Sequence, residues 1–209
     1  MPHQFVRAIQ SILAINPEQV YPNCRNSLLH KIFQDATYRA TSEWKHRHPS
    51  FYWSIGAVEA LKKLKNVQVT NGPDGELLLT FEDVKEAHKL LRHEHIIPTG
   101  LVIRHLLSLN EPSYNTIINV LNNGSRIVCI VTPDENKRLH KTKMPTEHSR
   151  WAEGSPEQIW ERYISPRNAE GGEIFISQYS CSSWDNNELT LDQSNDMSQN
   201  VPATLRRKE

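Results

Sequence analysis

A chain of 209 residues with 37% hydrophobic and 23% charged side chains falls in the ordinary globular range, enough for one domain with a real core. Its 24 basic and 24 acidic residues cancel, so an anionic partner must be held by a local patch rather than by the field of the whole molecule. Three widely spaced cysteines, Cys24, Cys129 and Cys181, form no disulfide framework and no CxxC metal site, and no apolar run approaches the roughly 20 residues of a membrane span.

The first 48 residues predict a helical region, with helices around Gln4 to Ile15 and from about Asn26 to Lys45 separated by Pro17 and Pro22. It reads as a scaffold or docking element, and its start lacks the apolar block of a signal peptide, which points to a cytoplasmic protein without a membrane partner. After Pro49, the aromatic run SFYW favours a strand and passes into a short helix with Val58, Leu61 and Leu64 on one face. VQVT and ELLLT flank NGPDG, whose Asn-Gly and Asp-Gly steps suit positive φ, so residues 67–80 predict a β-hairpin, with Thr80 capping the next helix. That helix, FEDVKEAHKLLRH, delivers the chain to Glu94 and His95 at an element boundary.

Pro98 closes the extended EHII step and Thr99 is placed to cap an amphipathic helix carrying Leu101, Val102, His105, Leu106 and Leu109. A helix from Ser113 to Asn122 follows, stopped by Asn123-Gly124. RIVCIVT has the β-branched composition of a buried strand. Thr132-Pro133-Asp134-Glu135 then combines an N-cap hydroxyl, a proline at the first helical position and a glutamate at the third, the capping-box pattern. Trp151, Trp160 and Tyr163, set among Arg150 and Arg162, are expected to pin a late helix to the core rather than to stack on bases. The polar sequence from Ser182 onward predicts a tail that buries too little to fold. The expected architecture is therefore α+β: a helix-rich single domain with a small β-hairpin and a buried strand. The helical N-terminus covers 1–48, the core 49–181 and the disordered C-terminal tail 182–209.

The segment from Glu94 to His140 holds the best set of groups for chemistry. Asn136 and His140 are four apart and share a helix face, so both can reach one ion or one water. Oxygen donors with imidazole suit a divalent metal ion, magnesium or manganese ahead of zinc. EHIIP, at 94–98, resembles the opening motif of the HNH, or ββα-metal, endonucleases, an acid-histidine pair followed by a branched apolar residue and proline, with Asn or His on a later helix. The resemblance implies that Glu94 helps to bind the metal, that His95 is the general base on the attacking water, and that Asn136 or His140 completes the coordination. Two predicted helices separate His95 from Asn136, where the family has a short loop. Metal-assisted hydrolysis of a nucleic acid, DNA in preference to RNA, is the reaction such a set would perform. Arg92, Arg104, Lys137, Arg138, Lys141, Lys143 and Arg150 are the candidates for holding its backbone. Against this stands a plainer reading: Glu94 and His95 as a polar element end, Asn136 and His140 on a solvated helix face, and the chain as a non-catalytic protein that binds a protein or nucleic-acid partner. No GxSxG, Walker, GxGxxG or HExxH pattern supports another enzyme class.

Overall fold

The computed structural model describes residues 3–37, 51–65, 67–71, 77–81, 83–124, 128–141, 151–152, 155–164, 174–176, 179–185, 188–193 and 201–206. The fold is α+β, as the sequence predicts. Among the described residues no helix is long and apolar enough to cross a membrane.

Two N-terminal helices, α1 (His3–Leu13) and α2 (Cys24–Thr37), flank a 3-10 turn at Pro17–Gln19, which Asn16 caps by accepting from the Glu18 amide at 3.0 Å. They are not an appendage. Val6, Ile9, Leu29 and Phe33 are buried in the same cluster as Val102, Ile103 and Leu106 of α5 (Thr99–Ser108) and Ile117 and Leu121 of α6 (Tyr114–Gly124). Each such side chain contributes about 1.5–3 kcal/mol by leaving water, so the helical region is held by the common core.

A three-stranded sheet lies against this helical layer. Its strands are β1 (Phe51–Trp53), β4 (Arg92–His95) and β5 (Val128–Val131), in the order β1-β5-β4. β1 runs parallel to β5 and β4 antiparallel to it, with Tyr52 and Glu94 both opposite Cys129 and with Trp53 and His93 both opposite Ile130. All four residues of β5 are buried, as expected of a β-branched run covered on both faces. Because side chains alternate across a strand, Tyr52, Cys129, Val131 and Glu94 share the face turned to the large cluster. Trp53 and Ile130 turn to a smaller cluster built with Ala57, Val58 and Leu61 of α3 (Ile55–Leu61) and Ala87 of α4 (Val84–Leu90).

The hairpin forms as predicted from its turn residues: β2 (Val67–Asn71) pairs antiparallel with β3 (Leu77–Phe81), Val67 opposite Phe81. Two capping expectations shift. Thr80 lies inside β3, and Asp83 caps α4 by accepting from the Glu86 amide at 2.9 Å. Thr99 is the first residue of α5, whose N-cap is Pro98 with no side-chain bond, whereas Ser113 caps α6 through the Thr116 amide at 3.1 Å.

The unstructured tail expected for 182–209 is the largest departure. β6 (Tyr179–Asp185) pairs antiparallel with β7 (Glu188–Gln193) and lies against β1 and β2. Beyond it Val201, Pro202 and Leu205 are buried, and the Ile176 amide donates to the Leu205 carbonyl at 2.8 Å. Bridges from Ser54 to Ile176 and from Ile176 to Arg206 extend the sheet beyond β1. Backbone pairing between two strands needs little apolar sequence, so composition alone underrates this segment.

Gly124 closes α6 at a contact only glycine fits. A Cβ there would stand 2.5 Å from Trp151 Cζ3 and 2.9 Å from Val102 Cγ2. Gly124→Ala is expected to cost about 1–3 kcal/mol through overpacking. Thermal unfolding checks this; an unchanged Tm would mean that Trp151 does not seat on α6.

Candidate functional site

The strand-to-helix junction after β5 forms as its capping box predicts. The Glu135 amide donates to Thr132 Oγ1 at 3.2 Å, the Thr132 amide donates back to Glu135 Oε2 at 2.7 Å, and α7 (Pro133–Lys141) begins there. The Glu135 carboxylate is buried and does a second job. Ser54, which caps α3 through the Ala57 amide at 3.0 Å, donates its hydroxyl to Glu135 Oε2 at 2.7 Å. Gly56 leaves room for this carboxylate: a Cβ there would lie 2.7 Å from Glu135 Oε1. The two helices that leave the carboxyl ends of β1 and β5 are therefore tied together by one acid, which suits the positive ends of both.

Glu94 is half of a buried ion pair. Arg162, on the short helix α9 (Glu161–Ile164) that follows α8 (Pro156–Ile159), has Nη1 2.8 Å from Glu94 Oε1, and their side chains are 3% and 12% exposed. The same Nη1 reaches the His95 carbonyl at 3.3 Å, and Nη2 donates to the Leu139 carbonyl at 3.0 Å. A guanidinium satisfies these acceptors at once because its nitrogens form a rigid planar fork. It binds the end of β4 to the last turn of α7. Nothing in the sequence pairs the two residues, but an arginine between Trp160 and Tyr163, in a segment read as core packing, already demands a buried acceptor.

The strand separates the expected acid-histidine pair. Glu94 turns to the face that α7 covers through buried Leu139, whereas His95 turns to the opposite face, beside Val128 and in line with His93. The His93 and His95 rings stand 5.4 Å apart, centroid to centroid, at 86°. His93 is exposed and His95 half-buried, on a strand that is an edge of its sheet among the described residues.

Asn136 is half-buried on α7, its Oδ1 buried with no hydrogen-bond partner among the described residues. His140 and Lys141 lie in α7, but their side chains fall outside the described set, as do Lys143 and Arg150 altogether. Among the described residues no three His, Cys, Asp or Glu side chains gather to hold one ion. The described basic candidates lie on three elements, β4, α5 and α7. Arg92 donates to the Leu91 carbonyl at 2.8 Å, Arg104 is exposed on α5, Lys137 is 3.6 Å from exposed Asp134, and Arg138 is half-buried.

Tyr52, Trp160 and Tyr163 are buried and meet edge to face, successive ring centroids 5.0 Å apart at 85° and 73°, so this segment packs into the core. Beneath it burial pushes the Cys129 thiol well up, the Glu135 carboxylate adding to the rise. Cys129 is thus a core residue, not a nucleophile. Alkylation followed by peptide mapping is expected to modify half-exposed Cys24 in the folded protein and Cys129 only after unfolding. Equal labelling of the two would contradict this packing. His105 packs against Trp151 at 5.3 Å, and burial lowers its pKa, as for a boundary histidine kept neutral. No family model, curated protein or solved structure matches the chain.

Proposed function

We propose that the chain is a metal-dependent nuclease of the cytoplasm that cleaves nucleic-acid phosphodiester bonds, DNA in preference to RNA, from the histidine face of β4. The observation that carries this reading is the placement of two imidazoles, exposed His93 and half-buried His95, on one face of β4, which is an edge strand among the described residues. Imidazole beside a bound cation is the combination phosphodiester hydrolysis uses, the ion taking up charge on the phosphate and the base or the ion itself activating water. In this form the reading keeps His95 and releases Glu94, whose carboxylate is engaged by Arg162.

The test is cleavage of supercoiled plasmid and of RNA by wild type and His95→Ala, with and without magnesium, manganese or zinc. Metal-dependent cutting abolished in the variant is the expected result. Absence of cutting by folded wild type would move the assignment to a non-catalytic interaction protein. The buried Glu94–Arg162 pair favours that second reading, because it gives the acid of EHIIP a structural task.

A further inference from the structure

We propose that His93 and His95 together chelate one divalent transition-metal ion of the zinc class, with solvent or substrate oxygens in the remaining positions. The proposal deepens the nuclease reading by naming its metal centre, but its metal affinity stands without that reading. Residues i and i+2 of a strand project to the same face, and the register of His93 opposite Ile130 and His95 opposite Val128 fixes both on that face. The spacing fits a shared ion. Two ring nitrogens each about 2.0–2.1 Å from one tetrahedral ion place the ring centroids roughly 5 Å apart. The observed separation is 5.4 Å, with the rings near perpendicular at 86°.

The backbone between the two rings is held in place. The Glu94 carboxylate and the His95 carbonyl both bind Arg162, so the strand arrives with its geometry set before any ion does. The donor set decides the metal class: imidazole nitrogens select zinc, cobalt, nickel or copper, whereas magnesium prefers oxygen ligands in an octahedron. Two protein ligands leave two positions of a tetrahedral ion to water or substrate, one more than a three-ligand catalytic zinc site leaves. The ion of this proposed site is thus of the zinc class rather than magnesium or manganese. There His95 is a ligand that acts on water through the ion.

Cobalt(II) and zinc(II) titrations of the full chain test the proposal, followed by visible absorption and calorimetry, on wild type, His93→Gln, His95→Gln and the double variant. Circular dichroism confirms that each is folded. Wild type is expected to bind one equivalent with visible cobalt bands that zinc bleaches and magnesium does not. Each single variant should lose at least the roughly tenfold in affinity that even an outer-shell partner of a metal ligand carries. No one-equivalent site in wild type, or an unchanged site in the double variant, overturns the proposal. A bound ion without nucleic-acid cleavage would leave this site standing and remove the nuclease reading. Cleavage by a protein whose double variant binds zinc as wild type does would do the reverse.

Discussion

Replacing Arg162 with methionine is expected to remove about 3–5 kcal/mol of folding stability, because it strands the Glu94 carboxylate in a site that was built around a cation. In a chain of this length that corresponds to a fall in Tm of roughly 6–20 °C. The cost has two parts. Glu94, at 12% side-chain exposure, loses the Arg162 guanidinium, and the Leu139 carbonyl loses that donor. Arg162→Lys should recover only part of the loss, since a single ammonium cannot reach Glu94 Oε1 and the Leu139 carbonyl together. The paired change Glu94→Leu with Arg162→Met removes both charges and is expected to be markedly more stable than Arg162→Met alone. Chemical denaturation of the four proteins measures these differences. A single variant within about 0.5 kcal/mol of wild type would place it among ordinary surface substitutions and contradict the buried pair.

Glu135→Ala is the second large effect, at roughly 2–4 kcal/mol, from a lost cap and from donors left without an acceptor. The carboxylate receives the Thr132 amide and the Ser54 hydroxyl at 2.7 Å each, so its removal loosens the starts of α7 and α3 together. Glu135→Gln keeps one acceptor oxygen and should cost less. Gly56→Ala should be harmful on its own, because its Cβ would lie 2.7 Å from Glu135 Oε1, and much less so in the Glu135→Ala background, where that oxygen is gone. This non-additivity is the signature of direct contact. Additive costs in a denaturation cycle would show that Gly56 and Glu135 do not touch.

Local signals in the sequence carried most of the elements. The RIVCIVT run gave a strand buried on both faces, Thr132 to Glu135 gave a cap whose reciprocal bonds form, and the turn residues between β2 and β3 gave a hairpin. Two things were not legible. β6 and β7 pair with each other through backbone hydrogen bonds, and Leu205 docks by accepting from the Ile176 amide and entering the core, neither of which a polar composition reveals. The site suffered from the opposite problem. At an element boundary, EHIIP would let adjacent Glu94 and His95 work together. Once residues 92–95 pair with β5 as a strand, alternation sends the two to different faces, and the long-range partner Arg162 claims the acid. The same alternation brings His93 beside His95, a pairing that HEH spacing signals only when the segment is recognised as extended.

Glu94 is engaged by Arg162, and in the proposed nuclease the working face of β4 is the one that carries His93 and His95. Plasmid cleavage with added zinc or manganese by wild type, by His95→Ala and by the paired Glu94→Leu, Arg162→Met protein tests it in one assay. The paired variant, once shown to be folded, is expected to cut with the metal dependence of wild type while His95→Ala does not cut. A folded paired variant that has lost cleavage, beside a His95→Ala protein that retains it, would instead make Glu94 the catalytic group and His95 dispensable.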